Sequence, residues 1–246
     1  MTQWQTQDQP DLLREDEVHL WIAPLTTPPE KLFYFESVLS ADEKERARRF
    51  RNISDRKRYL IARGSLRRLL GYYVASVPDR LQFTYNAFGK PSLSGQTSQA
   101  VLNFSISHSE DRALFGFARG RRIGVDLEYI RADIDVLELA KRYFSPDEFR
   151  QLRRLPANKQ CEAFYCAWTR KEAYLKACGE SLSFGLERVE VSLIPAEPAM
   201  IRKVAGASNA SQHWTLKHLS PAPSYLGTVA VEGRTVTFKF LDWHLT

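Results

Sequence analysis

Apolar and polar positions change period several times along the chain. Val18 to Leu25 (VHLWIAPL) reads as a strand. Ser40-Ala41-Asp42-Glu43 has the pattern of a capping box and opens a basic helix that runs to Phe50. A second helix extends from about Ser54 to Tyr73, with Leu60, Leu66, Leu69 and Leu70 apolar and several arginines on its exposed side. Strand patterns follow at Leu81 to Tyr85, Val101 to Ile106, Ala113 to Ala118 and Ile123 to Glu128. Between the first two lies a loop, Asn86 to Gln99, punctuated by Gly89, Pro91 and Gly95. The order then repeats. Ile134 to Arg142 and Pro146 to Leu155 are helical, and a longer helix spans about Lys159 to Cys178. Strands are expected at Arg188 to Ile194, His213 to His218, Tyr225 to Val231 and Thr235 to Trp243. The run Pro195 to Ser211 reads as a loop, and Met1 to Glu17, polar and acidic, as a loose tail. Helices precede strands in each half. That order predicts an α+β protein of two comparable units, 18–122 and 123–246, with a seam near 119–131.

Composition narrows the classes. The 246 residues carry 35 Lys and Arg against 29 Asp and Glu, a formal charge of +6, which favours acidic or phosphorylated partners. With 43% hydrophobic residues the chain can bury a core, and no run approaches the ~18 apolar residues of a membrane span. The start lacks the basic-then-apolar order of a signal peptide. The three cysteines, Cys161, Cys166 and Cys178, are odd in number and read as reduced thiols of a cytoplasmic protein. The five histidines are scattered and no Cys-x-x-Cys occurs, so zinc is not expected.

Two segments carry chemistry. In Arg121-Arg122-Ile123-Gly124-Val125-Asp126-Leu127-Glu128, a strand would send Ile123, Val125 and Leu127 into a core and Asp126 and Glu128 together to the other face. Two adjacent carboxylates repel. They are either a solvated strand face or a hard-cation site of the kind that holds magnesium with phosphates. The second segment is the helix Cys161 to Cys178. Ala163, Phe164, Ala167, Trp168, Tyr174, Leu175 and Cys178 form an apolar arc; Lys171 and Glu172 fall inside it and Lys176 at its edge. Glu172 and Lys176 are either an i, i+4 surface pair or groups facing a cleft. There Glu172 would be a third carboxylate for the cation and the lysines would meet phosphate oxygens. A Ser–His hydrolase is not indicated, because His108 has no orienting acid and no Gly-x-Ser-x-Gly elbow exists.

Taken with Phe88-Gly89-Lys90-Pro91 and Asn103…Ser107-His108, the two motifs Gly124-Val125-Asp126-Leu127-Glu128 and Trp168-Thr169-Arg170-Lys171-Glu172-Ala173-Tyr174-Leu175-Lys176-Ala177 resemble the Sfp-like family of 4′-phosphopantetheinyl transferases. The resemblance runs from Arg48-Arg49-Phe50 to about residue 185. It departs at Gly179-Glu180-Ser181-Leu182, where the family often has Gly-x-Gly. It implies a monomer of two similar halves about a pseudo-twofold axis, with coenzyme A in the cleft between them. It also implies transfer of the 4′-phosphopantetheine arm to a serine of an acidic apo carrier protein, with adenosine 3′,5′-bisphosphate released. By the same resemblance, Asp126, Glu128 and Glu172 hold Mg2+ or Mn2+. Glu172 helps deprotonate the serine, Lys176 meets the leaving phosphate, and Lys171 adds electrostatic help. Arg46, Arg58, Gly89, Lys90, Pro91, Ser107 and His108 hold the nucleotide, and Glu148 is a further candidate base.

Two rival readings stand beside it. A nucleic-acid-binding protein would use Arg46 to Arg58 and Arg63 to Arg68 as phosphate-contacting helices. Another magnesium-dependent phosphotransferase would need a Gly-x-x-x-x-Gly-Lys-Ser/Thr loop or a kinase signature, and neither occurs.

Overall fold

Two sheets, each backed by helices, form the frame in the computed structural model, which describes residues 2–96, 101–181, 184–207 and 209–243. The first half runs β1 (Gln5–Thr6), β2 (Glu17–Pro24), α1 (Leu32–Glu36), α2 (Ala41–Arg48), α3 (Ile53–Tyr73), β3 (Phe83–Tyr85), β4 (Pro91–Leu93), β5 (Leu102–Ser109) and β6 (Arg112–Arg119). The second runs β7 (Ile123–Tyr129), α4 (Val136–Tyr143), α5 (Pro146–Arg154), α6 (Ala157–Cys178), β8 (Val189–Val191), β9 (Ile201–Val204), α7 (Ala210–His213), β10 (Trp214–Leu219) and β11 (Tyr225–Glu232), and β12 (Thr237–Asp242) is the last element among the described residues. Each half repeats one succession: a strand, helices ending in a long one, a two-stranded sheet, then an antiparallel pair. The strand orders β2-β6-β5 and β7-β11-β10 correspond. The α+β arrangement of two like halves is therefore present in the topology.

Local chemistry explains the helix starts. Ser40 and Glu43 form the expected capping box, with the Ser40 amide donating to Glu43 Oε2 at 3.0 Å. The other oxygen of Glu43 accepts from Arg63, and Arg67 Nε donates to Glu43 Oε2 at 2.5 Å, so one buried acid ties α2 to α3. Two arginines of the supposed nucleic-acid face are thus spent inside the protein. Between the sheets, Val18, Leu20, Leu114, Val125, Leu127 and Val229 form an apolar layer. This is the face to which the alternation of β7 sends Ile123, Val125 and Leu127.

Several expectations give way. Residues 2–17 are tied to the fold: β1 pairs in parallel with β12, the Thr2 amide donates to Ser220 O at 3.3 Å, and Leu13 is buried. The last strand returns to the first sheet, where β12 lies parallel to β2 with Thr237 opposite Glu17. Residues 123–246 therefore do not all sit in the second half's sheet. The loop expected at 86–99 contains β4, and the one at 195–211 contains β9 and α7; residues 97–99 and 208 lie outside the described residues. The long helix is not striped. From Ala163 to Ala177 nearly every position is buried, because the sheet covers one side of α6 and α4, α5 and β8 cover the other. Among the described residues, no helix is long and apolar enough to cross a membrane.

Candidate active site

The site begins with a glycine. A Cβ at Gly124 would lie 2.1 Å from Ala173 O and 2.3 Å from Ala177 N, so only glycine lets β7 run against the α6 backbone. On that face of β7 the next side chain is Asp126, buried, with Lys176 Nζ 2.6 Å from its Oδ1. Ser107 Oγ, from β5, donates to the same oxygen at 3.0 Å and accepts from Lys176 at 3.1 Å. Burial disfavours the Lys176 charge. Asp126 outweighs it, aided by Glu172 and Glu128, and holds the ammonium above the ordinary lysine value.

The three carboxylates sense one another. Burial first, and then the Asp126 charge, push Glu128 up to about 7; the same two causes push Glu172 up to about 6. Among the described residues no group of three or more His, Cys, Asp or Glu is gathered tightly enough to form a ready-made metal cage. The donors nevertheless fit a hard cation. Asp126 Oδ2 and Glu172 Oε1 are buried without a hydrogen-bond partner, and one ammonium faces three acids. Such oxygen ligands, few in number and open to waters and phosphates, suit magnesium.

A row of serines holds this cluster across the seam between the halves. No backbone ladder joins β5 to β7. Instead, Ser105 Oγ accepts from the Val125 amide at 3.0 Å, and Ser107 Oγ donates to Asp126. Ser109 Oγ donates to Glu128 Oε2 at 3.1 Å while accepting from the Tyr129 amide at 3.0 Å. Ser105 and Ser109 escaped the sequence reading, although the alternation in Asn103 to Ser109 carried the signal.

Beside the cluster opens a cavity of about 460 Å³ to which both halves contribute, Gly89, Lys90, Pro91 and Ser105 from the first and Glu172 and Lys176 from the second. Lys90 Nζ donates to Ile123 O at 3.1 Å and Ala177 O at 3.3 Å, and burial lowers its ammonium to about 8. His108 stands at the end of β5. Surrounding protein, then the Lys176 and Arg58 charges, hold its imidazole below the ordinary value. Ser181, at the family's second Gly position, also lines the cavity; Leu182 lies outside the described residues.

Four predicted residues are placed elsewhere or are already occupied. Lys171 is fully buried; its Nζ donates to Glu148 Oε2 at 2.6 Å, to Leu186 O at 3.0 Å and to Val189 O. Glu148 also accepts from the Ser145 and Val191 amides, each close to 3 Å. Both charges are paired with each other inside the second half, and neither residue lines the cavity, where the sequence expected Lys171 at the cofactor and Glu148 as a base. Arg46 is exposed on α2 with its guanidinium over the Tyr59 ring, 5.6 Å from its centroid, and does not line the cavity. Arg58 pairs with Glu110 at 3.1 Å, and Glu110 also binds Arg131 at 2.5 Å.

Comparison with known proteins gives the family. The model of the 4′-phosphopantetheinyl transferase superfamily matches residues 122–230, and that of the 4′-phosphopantetheinyl transferase N-terminal region matches residues 26–116. The 4′-phosphopantetheinyl transferase HetI of Nostoc sp. is 40% identical over 232 residues, which cover 94% of each chain. The 4′-phosphopantetheinyl transferase Sfp of Bacillus subtilis is 30% identical, covering 65% of this chain and 68% of that one. An L-aminoadipate-semialdehyde dehydrogenase-phosphopantetheinyl transferase of Xenopus laevis is 28% identical over 63% of this chain and 54% of that one. With both halves matched in order and the likeness to HetI running nearly end to end, the chain belongs to the 4′-phosphopantetheinyl transferase superfamily.

Proposed function

We propose that the protein transfers the 4′-phosphopantetheine arm of coenzyme A to a serine hydroxyl of an apo carrier protein. The serine oxygen forms a new bond to the phosphorus that bears the pantetheine arm. The bond from that phosphorus to the bridging oxygen breaks, and adenosine 3′,5′-bisphosphate leaves with the electron pair. The observation that carries the reading is the pairing of Lys176 with a buried, three-carboxylate cluster at the wall of the shared cavity.

Each residue then has a task. Glu172, with its carboxyl raised to about 6, is basic enough near neutral pH to take the serine proton. Lys176 stays charged and meets the negative charge that develops on the leaving phosphate. We assign the nucleotide end to Lys90 in the cavity wall and to Ser107 and His108 on β5, Ser107 bonded to Lys176 and His108 within the fields of Lys176 and Arg58. Asp126, Glu128 and Glu172 are the groups that would hold Mg2+, which when bound supplies neutralisation of the pyrophosphate. Manganese satisfies the same oxygen donors. The net charge of +6 suits acidic carriers. The three free cysteines suit the reducing cytoplasm, in which we infer the chain acts as a monomer.

Incubation with coenzyme A, Mg2+ and an apo carrier, followed by mass spectrometry of the carrier, tests the reading. Conversion to the phosphopantetheinylated form by the parent, and its loss in a folded Asp126→Ala variant, is the expected result. An unmodified carrier across fatty-acid, polyketide and peptide types would overturn it.

A further inference from the structure

The loop that brings Gly89 and Lys90 to the cavity is organised around one side chain that neither half of the sequence motif includes. Asn86 uses every polar group it has. Its Oδ1 accepts from the Phe88 amide at 3.0 Å and the Lys90 amide at 2.9 Å. Its backbone amide donates to Lys90 O at 3.1 Å, and its carbonyl accepts from the Gly89 amide at 3.0 Å. These four bonds close the turn, in which Gly89 holds a φ of +82° that favours glycine.

The remaining donor points out of the turn. Asn86 Nδ2 donates to Gly179 O at 2.7 Å, the shortest of the five bonds and one that spans from the first half to the second. Gly179 ends α6 in the left-handed conformation, and a Cβ there would meet Asn86 Nδ2 at 2.9 Å. The helix end is therefore shaped to receive this amide. Three residues upstream of Gly179 is Lys176, and seven upstream is Glu172. This side chain, together with Lys90 Nζ on Ala177 O, thus ties the loop to the helix that carries both.

We propose that Asn86 is a positioning residue for coenzyme A: its amide registers the Phe88–Pro91 loop against the C-terminus of α6 and so sets the width of the cavity between Lys90 and the Glu172–Lys176 turn. The inference rests on the proposed function, in which this loop holds the nucleotide. Asn86 is exposed, so its bonds add little to global stability. Their effect is on geometry, which for a binding loop appears as affinity.

Two variants separate the bonds. Asn86→Ala removes all side-chain ties. Asn86→Asp keeps the acceptor for the Phe88 and Lys90 amides but can no longer donate to Gly179 O. Both are expected to raise the KM for coenzyme A about tenfold, with kcat within about twofold and melting temperature nearly unchanged. A second readout needs no turnover. Burial holds the Lys90 ammonium, which donates to Ile123 O and Ala177 O, down to about 8; lysine NMR is expected to find it lowered in the parent and moved toward the ordinary lysine value in both variants. An unchanged Lys90 titration in both overturns the anchoring. A shifted titration with unchanged KM overturns its role in binding. Lys90→Ala run alongside assigns the fault: if that variant also leaves KM unchanged, the reading of the loop has failed, and if it raises KM, the failure belongs to Asn86.

Discussion

Lys176 passes over Glu172, its neighbour one turn back on α6, and closes on Asp126 of β7 at 2.6 Å. The i, i+4 surface pair allowed by the sequence is not formed. The lysine instead bridges a helix and a strand at the wall of the cavity, where a cation is useful to a departing phosphate. Lys176→Ala should lower kcat by about 10²–10³, the typical loss for a donor aimed at developing charge. Lys176 is 32% exposed but its partner Asp126 is only 3% exposed, so the variant also leaves a buried carboxylate unpaired and should melt earlier than the parent. Stopped-flow transfer assays and melting curves decide. A variant that melts early yet keeps most of its turnover would remove Lys176 from the site.

The carboxyl cluster makes a pH prediction with a definite sign. Glu128 and Glu172 titrate at about 7 and about 6 in the fold, against 4.5 when unfolded. Between those values the folded chain holds protons that the unfolded chain has released, so this pair costs stability progressively as pH rises from about 4.5 to about 7. His19 and His218 act oppositely. Burial lowers both to about 4 from 6.5, so they cost stability as pH falls through that window. Differences isolate each term in urea titrations of chelator-treated protein. Glu128→Gln should gain on the parent as pH rises to 7, and His218→Gln should gain as pH falls to 4. Added Mg2+ should stabilise the parent more at pH 7.5 than at pH 5. Equal magnesium effects at both pH values would sink the cation assignment.

Lys171 and Glu148 carry a separate prediction, because their side chains are 0% and 2% exposed. Lys171→Met strands a buried carboxylate and should cost about 3–5 kcal/mol. Combining it with Glu148→Gln should recover much of that loss. Where the single variant still folds, the KM for coenzyme A should match the parent. A KM that rises with little change in melting temperature would return Lys171 to the cofactor site.

Gly124→Ala should be severe. The added methyl would meet the α6 backbone on two sides, at Ala173 and Ala177, and neither can yield as a side-chain tip could. Overpacking of this kind costs typically about 1–3 kcal/mol, and here it also pushes Asp126 away from Lys176. Activity should fall further than stability does. A variant with parental kcat would show that β7 and α6 need not touch there.

The sequence was most informative where one local rule governs. The capping box at Ser40 placed α2, and period-two alternation sent Val125 inward and Asp126 to the opposite face, toward α6. The surroundings of Lys171 were not legible because a lysine inside an apolar arc has two outlets, a cleft or a buried acid. The acid, Glu148, lies 23 positions away in sequence. Wheel geometry cannot see the second layer, formed by α4, α5 and β8, that closes the far side of α6. The docking of the first residues on β12 was invisible for a related reason: a two-residue parallel pairing with the other end of the chain has no local pattern.

That last pairing has a consequence for how the protein is made. β2 is synthesised before every other strand of its sheet but β1, and its parallel partner β12 after all of them. Throughout translation the first sheet stands with β2 as an open edge, its hydrogen-bonding groups unpaired on the side that β12 will occupy. The amino-terminal half therefore cannot finish folding on the ribosome as a unit ahead of the rest. Until β12 arrives, the emerging polypeptide carries an apolar strand, with Leu20 and Ile22 in it, whose edge is open to pairing with a stranger.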